Sequence, residues 1–175
     1  MNKVPLTKIP AATAAEICAK FNLPGDARGL LEEGMPPGAF IEALLAKKKF
    51  VAAVDFMAHA LPLREGIWWG CLCMQHGYGD NLTGAERAAA IAAVQWVFEP
   101  GEETRAAAKS PAEAAGPGTP AGALAMAVSV AGPPALKAVA NAVKLASIKV
   151  EPIQIANVQR AFVELGLEVA EGQHL

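Results

Sequence analysis

Cysteine is scarce in this chain: three residues in 175. An odd number argues against a disulfide framework. The opening "MNKVPLTKIPAATAAE" has no apolar stretch of signal-peptide type, so the thiols are expected to be reduced and the location cytoplasmic. Charge is also sparse, at 18% of residues with a formal net of −2. The one cationic run is Lys47 to Lys49, which reads as a solvated helix end. No basic face is visible, and nucleic acid is excluded as a partner on that ground. Long hydrophobic runs are missing too. The longest uncharged stretch, Ala114 to Leu136, is broken by Pro117, Pro120, Pro133 and Pro134. Its apolar core, Ala121 to Ala131, is too short for a bilayer, which needs about 20 residues. It reads as a buried helix, and no membrane insertion is expected.

Strand signals are absent as well. No run alternates apolar and polar residues between hairpin turns, and only "IKVEPIQI" is ambiguous. Catalytic signatures are missing: no Ser-His-Asp elbow, no dinucleotide fingerprint, no H-E-x-x-H. "GYGDNLTG" lacks the lysine and preceding strand of a phosphate loop, so it reads as an interhelix turn.

What the chain does have is alanine, much of its 53% apolar content, and 13 prolines that punctuate it. Alanine favours helix and lets helices approach closely. "TAAE" at Thr13 to Glu16 and "TGAE" at Thr83 to Glu86 are capping boxes, each marking a helix start. The first is expected to run to about Phe21. Asp26 is expected to cap a short helix ending at Gly34. Pro36-Pro37, Pro62, Thr119-Pro120, Pro133-Pro134 and Pro152 each read as a helix opening. A helix from "EETR" is expected to reach Lys109, with Ser110-Pro111 starting a new one. The last helix is expected to end near Gly166. The fold class is therefore all-α: an irregular stack of about eight or nine short antiparallel helices, as a helical-hairpin array or an orthogonal bundle. Residues 1–175 read as a single helical domain. Residues 1–12 are a candidate flexible arm and residues 167–175 a candidate flexible tail.

The densest chemistry lies in "REGIWWGCLCMQHGYG", Arg64 to Gly79. On a helix, Ile67, Gly70, Cys71 and Met74 share one side. Trp68, Leu72 and Gln75 share the next, and Trp69, Cys73 and His76 the third. Apolar groups on all sides mark a core helix. Cys71 and Cys73 lie about 200° apart around the axis, so they neither bridge nor chelate together. Cys73 and His76 can face one site, as a nucleophile and its base. Two ligands do not make a zinc site, and Cys18, His59 and His174 are remote in sequence. Asp55 and His59, four apart, can form a hydrogen-bonded pair or an acid–base dyad. Glu65 suits the helix N-terminus, and Arg64 is expected to pair with Asp55 or Glu65. The candidate cluster is Asp55, His59, Arg64, Glu65, Trp69, Cys73 and His76, as a functional site or a structural lock. No catalytic residue, cofactor or metal is assigned, because buried aromatic and sulfur packing explains the segment better.

Several stretches together carry a resemblance: "TAAEICAKF", "MPPGAFIEALLAKKKFVAAVDFMAHALPLREGIWWGCLC", "TPAGALAMAV" and "ALKAVANAVKLASI" ahead of "FVELGLEVAEG". They resemble a family of uncharacterised bacterial helical proteins, most specifically through "HALPLREGIWWGCLC". That family is a domain of unknown function often encoded near type VI secretion genes. The resemblance implies an accessory or adaptor role in secretion, with secretion components or cargo as protein partners. It supplies no catalytic residues. Pro111 and the short "VAGPPALK" segment depart from the family pattern, which puts partner choice in question. The expected function is thus a non-enzymatic protein-interaction module, with homo-oligomerisation left open. The alternatives are a toxin-neutralising immunity protein, or a small-ligand binder or enzyme using Asp55, His59, Arg64, Cys73 and His76.

Overall fold

A computed structural model describes residues 4–130 and 132–175. Among these residues every regular element is helical. Eight helices are seven residues or longer: α3 (Pro37–Ala46), α4 (Phe50–Ala60), α5 (Leu63–Tyr78), α6 (Gly84–Phe98), α8 (Lys109–Ala115), α9 (Pro120–Ser129), α10 (Pro133–Ser147) and α11 (Ile155–Ala170). Three shorter ones are α1 (Ala14–Cys18), α2 (Gly25–Arg28) and α7 (Glu102–Ala107). The all-α expectation holds.

The punctuation works as its chemistry dictates. Thr13 and Thr83 each accept from the backbone N–H three residues on, and Glu16 and Glu86 reach back to the cap N–H. Each box satisfies two backbone donors that the first turn would otherwise leave unpaired. Pro37, Pro120 and Pro133 open α3, α9 and α10. There a missing N–H removes no intrahelical bond.

Several boundaries differ from expectation. α1 stops at Cys18 rather than Phe21. Asp26 lies inside α2, where its carboxylate accepts from the Ala27 N–H, and that helix ends at Arg28, well before Gly34. α8 begins at Lys109, so Pro111 sits within its first turn and Ser110 caps nothing. Pro152 opens a single 3-10 turn, Pro152–Gln154, ahead of α11. α11 then passes through Gly166 to Ala170, because Gly166 serves packing. A Cβ there would sit 2.8 Å from Met57 Cγ and 3.1 Å from the Trp69 ring.

The stack is not a plain succession of hairpins. α5 packs against α6, α9, α10 and α11, and α10 also covers α4. Eight of the ten residues of α9 are buried, so it is an interior helix as expected. Ala131, the last residue of its apolar run, lies outside the described residues. The expected arm and tail meet each other: the Lys8 N–H donates to the Ala170 carbonyl at 2.9 Å, and Ile9, Val169 and Ala170 are buried. Residues 1–3 of that arm lie outside the described residues. No helix among the described residues is long and apolar enough to cross a membrane.

Candidate functional site

The structure disperses the cluster expected from the sequence. Trp69 and Cys73 are fully buried. The Trp69 indole N–H donates to the Phe162 carbonyl of α11 at 2.7 Å, which satisfies its polar end inside the core. Burial alone pushes the Cys71 thiol up to about 12. Burial, and then the neighbouring Cys71, pushes Cys73 well above its ordinary value. A thiol that cannot ionise is a poor nucleophile. His76, the expected base, is exposed and lies edge-on to Phe162, ring centroids 5.6 Å apart. The Cys73–His76 site is therefore not assembled. Helical spacing put both on one face, but the burial of α5 fades before its C-terminal turn.

The polar members also find other partners. Arg64 pairs with neither Asp55 nor Glu65. Its Nε donates to the Val97 carbonyl at 2.7 Å, at the C-terminus of α6. Helix ends leave carbonyls unpaired, and a cation there also meets the negative end of the dipole. Glu65 is buried and lies 3.8 Å from Lys8 Nζ. The Asp55 carboxylate binds Lys144 of α10 at 2.5 Å rather than orienting His59. His59 Nδ1 instead lies 2.7 Å from the Asp55 backbone carbonyl. Asp55 and His59 do stay together, but through backbone, not as an acid–base dyad.

His59 marks what the fold does assemble. A groove of about 620 Å³ opens between α4, α10 and the α1–α2 connection. α4 contributes Asp55 and His59, the connection gives Lys20, Phe21 and Asn22, and α10 gives Lys137, Asn141 and Lys144. The last three are spaced i, i+4, i+7, which puts them on one face. His59 is 6% exposed and stacks on Phe21, centroids 4.5 Å apart and planes 19° apart. A carbonyl can only accept, so Nδ1 carries the proton and Nε2 keeps its lone pair. Burial lowers the His59 pKa below its ordinary value; the Asp55 hydrogen bond and charge oppose this and lose. Lys20 Nζ donates to the His59 carbonyl at 3.4 Å, closing the end of α4.

A second feature lies on the opposite chemistry. α5 and α6 frame an apolar groove of about 360 Å³ lined by Trp68, Leu72, Leu82, Ile91 and Val94, with Arg87 at its rim. Ile91 and Phe98 are 52% and 58% exposed. The Trp68 ring meets Phe98 edge-on at 5.5 Å. Its indole N–H is buried without an acceptor among the described residues, an uncommon state for a buried donor.

A model of a protein family, described as a family of unknown function (DUF6931), matches residues 40–170. The chain belongs to this family. No curated protein and no solved structure matches it. The DUF6931 match spans α5 and α6 entirely, so the apolar groove lies within it. Lys20, Phe21 and Asn22 of the His59 groove lie outside it. The match itself carries no link to type VI secretion.

Sequence reasoning missed several residues of this DUF6931 chain. Lys20, Lys137 and Lys144 of the groove carry no motif, and the i, i+4, i+7 spacing of residues 137, 141 and 144 on α10 is the one signal that could have found them. Arg105 caps the end of α9, its Nη1 donating to the carbonyls of Val128 and Val130 at 3.1 and 3.2 Å. Its guanidinium also lies 5.3 Å from the Trp96 ring centroid, a cation–π contact. With Lys20 and Arg64, it makes a recurring device: a basic side chain from elsewhere in the chain closes a helix C-terminus. Among the described residues, no three His, Cys, Asp or Glu side chains gather in metal-binding geometry.

Proposed function

We propose that this protein is a non-enzymatic protein-interaction module that receives an apolar helix of a protein partner in the groove between α5 and α6. The observation that carries this reading is the α6 face: Ile91 and Phe98 stand more than half exposed beside Trp68. Contiguous exposed apolar surface of this kind is a signature of interaction sites. An amphipathic helix recognises such a groove through apolar anchors, and Arg87 at the rim suits one acidic residue beside them. The dispersal of the Cys73–His76 pair and the raised thiols favour this reading over a cysteine-based enzyme. An adaptor role in bacterial type VI secretion is the specific form of the proposal, and it rests on the family resemblance alone.

The test is affinity capture from the native cells, comparing wild type with the double variant Ile91→Glu and Phe98→Glu. Both side chains are exposed, so stability should shift by no more than about 0.5 kcal/mol for each. Wild type is expected to retain a defined set of proteins that the variant loses. Secretion components within that set would support the specific form. Identical capture by both proteins overturns the reading.

A further inference from the structure

The His59 groove has features that a solvated helix face does not require. Its charge is unbalanced. Among the described residues, Lys144 is matched by Asp55, but Lys20 meets only a neutral carbonyl, and the Lys137 side chain has no partner. Among the described residues the groove thus sets three lysines against one carboxylate, Asp55. Its donors and acceptors are also partly unspent. Among the described residues, the side chains of Asn22 and Asn141 take no partner. His59 Nε2 takes none either, although the residue is 6% exposed. The ring is held in place, with Nδ1 tied to the Asp55 carbonyl and one face on Phe21. An acceptor fixed in this way is preorganised, which is what a binding site needs and a loose surface residue lacks.

The N-terminus of α10 narrows the chemistry. Pro133 and Pro134 have no N–H, and the Ala135 N–H is spent on the Gly132 carbonyl at 3.1 Å. The amide cradle that usually holds an anion at a helix start is thus missing. Anion recognition here falls to the lysines. The fixed His59 acceptor beside them, open to the groove, suits a ligand that donates as well.

We propose that this groove binds a small organic acid that also carries a hydroxyl or amine donor. Lys137 and Lys20 attract the carboxylate, His59 Nε2 accepts from the donor, and Asn22 and Asn141 orient the ligand. A volume of about 620 Å³ lies within the usual range for small-molecule sites. The inference is independent of the apolar groove on α5 and α6.

Three probes share one four-carbon diacid skeleton and differ in a single group: L-malate, L-aspartate and succinate. Calorimetric titration of the full chain should show malate or aspartate binding with a Kd of roughly 1 mM or tighter. Succinate lacks the donor and is expected to bind at least about tenfold more weakly. Lys137→Ala, at an exposed position, should weaken all binding. His59→Phe keeps the stack on Phe21 and removes the acceptor, so it should erase the preference over succinate. A thermal melt verifies that each variant is folded, and Lys137→Ala alone suffices if His59→Phe is not. Equal affinity for the three probes, no binding of any, or malate and aspartate affinities untouched by Lys137→Ala would each overturn the proposal.

Discussion

Two sides of this molecule fill their interiors by opposite means. Where α3, α4, α5 and α11 meet, the buried side chains are large: Phe40, Ile41, Leu44, Phe56, Met57, Trp69 and Phe162. Phe40 and Phe56 pack edge to face at 5.0 Å. Where α6, α8, α9 and α10 meet, the buried residues are mostly alanine: Ala89, Ala93, Ala112, Ala121, Ala125, Ala127, Ala140 and Ala146. α5 borders both. Its Trp69 reaches α11, while its Gly70 lies against α9, where a Cβ would come within 2.4 Å of Leu124. Large side chains hold helices apart and interlock, and short ones let backbones approach. The first kind of core fails by losing volume and the second by gaining it.

The largest expected effect tests the bulky side. Trp69→Ala should cost about 3–5 kcal/mol in urea unfolding, since it opens a cavity and leaves the Phe162 carbonyl without its donor. Next comes a matched pair that tests the contrast directly. Ala125→Leu in α9 should cost about 1–3 kcal/mol by overpacking. Met57→Leu in α4, which keeps its volume, should cost less than about 1.5 kcal/mol. If the two melt alike, the distinction between the sides collapses. A smaller loss is expected where the two sides are joined by a cap. Arg64→Met, which keeps the stem and removes the donor to Val97, should cost about 1–2 kcal/mol.

The smallest effect concerns the border of the bulky side at His59. Burial holds its folded pKa below the ordinary 6.5. The unfolded chain therefore takes up a proton first as the pH drops. The stability contribution is full above about 6.5 and declines as the pH falls toward the folded pKa. His59→Gln should flatten the slope of stability against pH in that acid window. An unchanged slope would show that His59 is as hydrated in the fold as in the unfolded chain.

Much of the fold was legible because its signals are local. Thr13 with Glu16, Thr83 with Glu86, and the prolines at 37, 120 and 133 act on backbone groups within one turn. Their positions alone mark the helix starts. Helix ends were less legible. Gly166 reads as a stop, yet α11 continues because Met57 and Trp69 need the space at that position. Pro111 reads as a restart, and the chain does restart there, but at Lys109, two residues earlier, with Pro111 in the first turn of α8. The candidate site was legible only in part. Asp55 and His59 share a wall of one groove, but the residues completing it come from Lys20, 35 positions before Asp55, to Lys144, 89 positions after it. Arg64 has an acid next to it in sequence and binds a carbonyl 33 residues away instead.

The sequence by itself determined that this chain is helical, where most helices begin, and that α5 is an interior helix with two cysteines that cannot cooperate. These follow from interactions within four residues, which any folded context must respect. Only the tertiary structure decided which polar groups meet: Asp55 with Lys144, Arg64 with Val97, and His59 with Phe21. It also decided which apolar groups stay exposed on α6. Such pairings depend on how helices distant in sequence come to lie side by side, and no local periodicity carries that distance.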